Sequence, residues 1–277
     1  MIQFKKLILI FSTNIIIFFL EINSSNSQTI EQKFINSIQS PTGITTVSDI
    51  SLIQNPAGLS VIDSNLFCIN FVPNKFGLKE LNSMLIFFAH KIDDGWTAGI
   101  STFGTGNELY NEFSGALHTS VTLSEKLILG GSLEVSRISI KGNLPDLLIQ
   151  GNIGAVIKFS PQLISGFSLS NITRSYYEYG ANTVNQQAIL GVGLIPAEDL
   201  FLELATVITI NQNSGVSVSG KYNLINFLAV RLAYLTNPQI LELGCNFNLS
   251  SKFKLITSAS YHNYLGFSQQ IGFSFIW

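Results

Sequence analysis

The sequence predicts an all-β protein: a transmembrane, antiparallel up-and-down β-barrel of about 14 strands. Three observations predict it. The first is the stretch Gly266 to Trp277. Phe267, Ile271, Phe273, Phe275 and Trp277 share one parity there, while Ser268, Gln270, Gly272 and Ser274 take the other. Successive side chains of a strand point to opposite faces, so this is a strand with one apolar and one polar face. It carries no charge and is long enough to cross a bilayer at a tilt. The second is composition. Charged residues make up 12% of the chain, only 46% is hydrophobic, and the polar remainder is rich in Ser, Asn, Thr and Gln. Few charges, many neutral polar groups, 22 Gly and 21 Phe suit a wall with one face in lipid and the other on a polar interior. The third is that no stretch after residue 27 is long and apolar enough for a spanning helix, so a membrane-integral chain must cross with strands.

Three regions follow in order. Residues 1–27 read as a signal peptide: Lys5 and Lys6 are its basic start, Leu7 to Leu20 its apolar core, and Ser25 and Ser27 the small residues of a cleavage site before Gln28. A cleaved signal and a barrel together imply the outer membrane of a Gram-negative-type bacterium. Residues 28–64 differ from the rest, with a short helix over Thr29 to Ile38 and then an irregular segment punctuated by Pro and Gly. Residues 65–277 carry strand-like segments near 65–73, 81–91, 95–104, 112–122, 126–139, 148–159, 162–171, 184–194, 200–211, 214–223, 226–235, 239–249, 252–263 and 266–277. Their alternation is clear: Leu127, Leu129, Leu133 and Val135 oppose Lys126, Ser132, Glu134 and Ser136. Short links such as Ser160-Pro161 and Ser250-Ser251 alternate with longer ones, of which 172–183 is the longest. Short periplasmic turns and longer outer loops are the outer-membrane arrangement.

If the Leu, Ile and Phe face meets lipid, Lys126, Glu134, Lys158, Glu203, Lys221, Arg231, Glu242 and Lys254 face the interior. On the lipid face such charges would cost about 2–4 kcal/mol each near the midplane. Glu134, Glu203, Lys221, Arg231 and Glu242 are read as an interior charge network that fills and stiffens the lumen. Tyr176 to Tyr179 in the longest outer loop read as part of an aromatic girdle at the membrane interface.

No catalytic constellation, cofactor motif or metal-ligand spacing stands out. His90, His118 and His262 are scattered over three segments and read as polar wall or rim residues. Cys68 and Cys245 are far apart and read as wall residues rather than a structural disulfide. A net charge of −2 gives no footprint for nucleic acid.

The stretch Ser48-Asp-Ile-Ser-Leu-Ile-Gln-Asn-Pro-Ala-Gly-Leu-Ser60, ahead of the first strand, resembles a segment near the mature N-terminus of the FadL-like outer-membrane proteins. That superfamily includes long-chain fatty-acid and hydrocarbon channels and the PorV/PorQ-type proteins of type IX secretion. Asp49, Ser51, Asn55, Pro56, Ala57, Gly58 and Leu59 carry the match. The resemblance implies a plug or hatch formed by these residues, followed by a fourteen-stranded barrel. Pro56 and Gly58 suit a compact knot rather than a regular element. The chain is shorter than typical members, and its outer loops are smaller.

Three functions follow from this reading. The first, and the favoured one, is a non-enzymatic, PorV/PorQ-like helper of protein secretion or surface attachment that binds secretion-system proteins. The second is a FadL-like passive channel for a hydrophobic ligand, gated by the plug. The third is a structural barrel. Outer-membrane lipid and the barrel assembly machinery are the expected partners in each case, with Phe273, Phe275 and Trp277 as the assembly signal.

Overall fold

The computed structural model describes residues 40, 42–44, 51–62, 64–175, 185–210 and 213–277. The expected signal segment, the helix over Thr29 to Ile38, Asp49 and Tyr176 to Tyr179 lie outside the described residues. The strands are β1 (Leu66–Val72), β2 (Asn82–Lys91), β3 (Trp96–Gly106), β4 (Tyr110–Ser124), β5 (Leu127–Ile140), β6 (Asp146–Ser160) and β7 (Leu163–Ser170). They continue with β8 (Gln187–Ala197), β9 (Leu200–Thr209), β10 (Gly215–Ile225), β11 (Leu228–Thr236), β12 (Gln239–Asn248), β13 (Phe253–His262) and β14 (Gly266–Ile276). Each strand pairs antiparallel with its neighbours in sequence, and β14 returns to β1 to close the barrel. The limits expected from period-2 alternation fall within three residues of these.

Closure is the reason a chain of this kind can stand in lipid. A backbone N–H or C=O left unpaired in hydrocarbon costs several kcal/mol, and a closed sheet leaves no edge. Six residues of β1, Leu66 to Phe71, pair with Ile271 to Ile276 of β14. The ladder continues past the strand ends: Asn65 N–H donates to the Trp277 carbonyl at 3.1 Å, and Trp277 N–H to that of Asn65 at 3.2 Å.

Both ends of the described barrel wall lie at the same rim, called the terminal end here; the opposite rim is the distal end. Terminal-end connections are tight. Glu125-Lys126, Pro161-Gln162, Glu198-Asp199 and Asn226-Phe227 are two-residue links, each beside a register shift in the adjoining ladder. A bulge adds local twist and ends pairing, which suits a rim. The distal connections 73–81 and 171–186 are the long ones.

The outward face is apolar between two aromatic belts. Leu117, Leu133, Leu190 and Leu243 are each more than half exposed. Trp96, Phe159, Tyr222, Phe227, Phe253 and Trp277 ring the terminal end, and Phe71, Phe113, Tyr261, Tyr264 and Phe267 the distal end. This is the layout of a wall facing lipid with aromatics at both interfaces. Cys68 faces inward and is buried; Cys245 is half-buried on the other parity, and both are free thiols.

Trp277 also stacks on Phe275 at 5.2 Å between centroids and meets Phe88 of β2 at 5.8 Å. Removing Phe275 to Trp277 deletes the seam's terminal hydrogen bonds and these ring contacts. The truncated chain is expected not to form a barrel. Electrophoresis of boiled and unboiled samples checks this, and a truncated protein that still migrates as a folded, heat-modifiable species contradicts it.

Candidate functional site

The interior begins with the segment that the motif marked. Ser51–Gln54 forms one helical turn and Pro56–Val61 a 3₁₀ turn. Asn55 caps the second: its side-chain oxygen accepts from Ala57 N–H at 3.1 Å, and Pro56 takes the first helical position, where no N–H is needed. Asn55, Ala57 and Leu59 are wholly buried. The knot sits directly on the barrel wall. A Cβ at Gly130 of β5 would overlap the Pro56–Ala57 peptide, and one at Gly154 of β6 would overlap the Asn55 side-chain oxygen. Gly58 packs on Gly43 so closely that a Cβ there would lie 2.6 Å from the Gly43 carbonyl. Ser120 of β4 accepts from Ser60 N–H at 3.2 Å and donates to the Ala57 carbonyl at 3.1 Å. The Asn55 side-chain amide donates to the Ala155 carbonyl at 3.3 Å. Of the motif residues, Asn55 to Leu59 are thus brought together against β4, β5 and β6.

A second link joins the segment to another sector of the wall, three strands beyond β6. Ser40 and Thr42 hydroxyls both donate to one oxygen of Glu203 in β9, the Ser40 bond at 2.9 Å. Glu203 is part of the expected charge network. Arg231 of β11 lies with Nη2 3.3 Å from Glu242 Oε2 of β12; both residues are buried. The ladders set Glu203 opposite Ser219, Ser219 opposite Ala233 and Ala233 opposite Glu242, so both carboxylates stand at one level of the wall. Lys221 and Arg231 are direct cross-strand partners one step nearer the terminal end. Of the five residues expected to form one network, four therefore lie together on β9 to β12.

Glu134 does not join them. It stands on β5, four strands from β9 along the wall. There it accepts from Ser136 Oγ at 3.0 Å and lies diagonal to His118 of β4. His118 shares a 2.8 Å hydrogen bond with Ser101 and meets the Phe87 ring edge-on at 5.9 Å. The reason is register: parity selects the inward face but not the level or sector. His90 bonds Asn65 at the terminal rim, and His262 accepts from the backbone N–H of Tyr264 and Leu265 at the distal rim.

Two apolar sectors complete the inward face. Leu66, Cys68, Val72, Leu85, Phe87, Ala89 and Phe103 of β1 to β3 pack with Ile53 and Leu59 of the plug. Ile189, Ala205, Val207, Ala233 and Leu235 of β8, β9 and β11 form a patch that runs from the level of Glu203 and Glu242, where Ala233 stands, toward the distal end.

Two residues that sequence reasoning did not single out lie at the distal mouth. Lys75, in the β1–β2 loop, is buried, and burial pushes its ammonium down to about 8 against the opposing pull of Glu112. Glu112 of β4 accepts from the Tyr110 hydroxyl at 3.3 Å. Glu112, Ser114, His118 and Ser120 alternate with Phe113, Leu117 and Val121, so parity held a signal for Glu112. Lys75 sits in a loop and had none.

This fold is shared with solved outer-membrane channels. The toluene transporter TodX of Pseudomonas putida superposes with a TM-score of 0.59 at 12% identity, over 85% of this chain and 95% of its own. The toluene transporter TbuX of Ralstonia pickettii gives 0.61 at 10% identity, over 85% and 95%. A Pseudomonas aeruginosa FadL homologue gives 0.56 at 12%, over 84% and 95%. No protein-family profile matches the chain, and no curated protein matches it. The likeness is therefore one of fold alone, and in this chain that fold is a closed fourteen-stranded barrel.

The site gives two expectations. Valine at Gly154 cannot coexist with Asn55 in its present place; overpacking of this kind costs about 1–3 kcal/mol. The G154V barrel is expected to keep its heat-modifiable migration while its N-terminal segment becomes open to protease. A segment that stays protected contradicts the seating. Arg231→Ala removes the buried ion pair with Glu242, a loss of about 3–5 kcal/mol for a broken buried pair. Its thermal transition in detergent should fall well below that of the parent; an unchanged transition contradicts a structural role for the pair.

Proposed function

We propose that this protein is a passive outer-membrane channel for hydrophobic small molecules, with the segment around Asn55 to Leu59 as its gate. The terminal end then faces the periplasm and the distal end the outside, as the two-residue links at the terminal end suggest. The observation that carries the proposal is the apolar patch Ile189, Ala205, Val207, Ala233 and Leu235 on the inward face, at the distal side of the plugged region. A water-filled porin has a polar interior. These apolar side chains at the outer half are buried at 1–3% exposure, and they become a lining for a hydrophobic solute once the lumen opens. The names of the neighbouring structures, two toluene transporters and a FadL homologue, support the same reading. The secretion-helper reading, favoured on the sequence alone, has no such support: the neighbours named are channels and transporters.

The test is uptake. Cells carrying this protein in an otherwise channel-poor outer membrane are expected to take up labelled toluene faster than cells without it, and to show no gain for a small sugar. Sugar uptake matching that of a porin, or no gain for toluene or a long alkane, contradicts the proposal. Co-purification of secretion components from gently solubilised membranes, with no uptake, would restore the helper reading.

A further inference from the structure

The loop between β1 and β2 is built unlike a surface loop. Lys75 points into the barrel and is 8% exposed, a rare state for a lysine. The next residue, Phe76, holds a left-handed backbone at φ 59°, a conformation costly for a bulky side chain. Three contacts hold this shape. Phe76 N–H donates to the Ser268 hydroxyl of β14 at 2.8 Å. The Phe76 ring meets His262 of β13 edge-on at 5.9 Å. Lys75 N–H donates to the Leu81 carbonyl at 2.7 Å, pinching the loop shut, and the Lys75 ammonium lies 5.2 Å from the Phe76 ring centre.

These contacts run in two directions from the same two residues. Phe76 reaches back to β13 and β14, while Lys75 faces Glu112 on β4. With β1, β2 and β3 between, the loop spans a sector from β13 to β4 at the distal mouth. The closed arrangement also holds two stored costs, a strained Phe76 and a desolvated ammonium. Lifting the loop into water relieves both. A segment tethered by a few contacts and loaded with strain is the kind of element that moves at a functional site.

We propose that residues 73–81 form a lid over the distal mouth, latched by Phe76 on Ser268 and His262, with Lys75 swinging between the interior and water as the lid opens. The inference rests on the channel reading above, since a lid matters only where solute passes.

The charge chemistry gives the lid a sign. The buried Lys75 ammonium titrates at about 8 rather than its ordinary 10.5, because burial disfavours its charge. The exposed form therefore holds the proton more tightly, so rising pH between those values favours the closed lid. The charged and titratable groups around it are Lys79 and Glu80 on the loop itself, Glu112 and Tyr110 on β4, and His262 and Tyr264 at the β13 end. Between pH 7 and pH 9 the shift in the open-closed balance from Lys75 is about tenfold.

The experiment uses the full chain with Cys68 and Cys245 replaced by Ala, plus F76C and S268C to lock the lid. Toluene uptake is measured in the same cells oxidised and reduced, with heat-modifiable migration as the check on folding. The cysteine-free parent must conduct; if it does not, the channel reading itself falls. Given a conducting parent, the lid predicts that oxidation cuts uptake at least several-fold and that reduction restores it. Equal uptake in both states overturns the lid. Without the lock, uptake should fall as pH rises from 7 to 9, and K75M should abolish that dependence. A dependence that survives in K75M overturns the role of Lys75.

Discussion

Closure of β14 on β1 is the constraint on which the rest depends. Once the seam from Leu66–Ile276 to Phe71–Ile271 forms, every strand has two neighbours and the wall can face lipid without orphaned backbone groups. Closure also fixes parity. One row of each strand must satisfy hydrocarbon, and the other must be packed or wetted inside. The polarity of Ser268, Gln270 and Ser274 is the inward half of that bargain, and Phe267, Phe273 and Phe275 the outward half.

The interior is then a packing problem, which the chain solves in two ways. Where the plug lies, the wall thins to glycine, so backbone rests on backbone at Gly130 and Gly154. Where the wall carries charge, opposite signs are set within reach. Arg231 meets Glu242 directly, and Glu203 takes hydroxyls from Ser40 and Thr42. Desolvated ions are costly unless paired, so this cluster fixes the plug's position more than it stabilises the barrel. An altered plug position strands Glu203 without its hydroxyl donors.

Strands were legible in the sequence because period 2 is a local property. Parity placed Glu203, Lys221, Arg231 and Glu242 on the inward face, and their nearness followed from adjacent strands. Glu134 shows where that reasoning ends: membership of a face says nothing of level or sector, which depend on register between strands far apart in sequence. The plug was legible only through its Asn-Pro-Ala-Gly-Leu run. Its seat had a quieter signal, since glycine inside a strand often marks a close backbone approach, and Gly130 and Gly154 both lie within alternating segments. Lys75 had no signal, because a loop has no parity and burial there is decided by the fold.

These features also bear on how a solute could cross. Opening the wall means breaking ladder hydrogen bonds between neighbouring strands, which are continuous except for shifts beside terminal-end turns. The least secured stretch is the distal part of β6, beyond the Ile153–Leu169 pair. There β7 has ended, and Asn171 to Thr173 take its place: Ile172 N–H donates to the Gly151 carbonyl at 2.9 Å, and the Thr173 hydroxyl to that of Ile149 at 3.0 Å. Among its described residues the plug, by contrast, meets the wall through hydrogen bonds that involve side chains, at Ser120, Ala155 and Glu203, and through close packing. Moving it disrupts fewer backbone bonds than parting two full strands. Under the channel proposal, a path along the lumen past the displaced segment is therefore less costly than opening the wall, and the glycine seat at Gly130 and Gly154 gives that segment one defined place to return to.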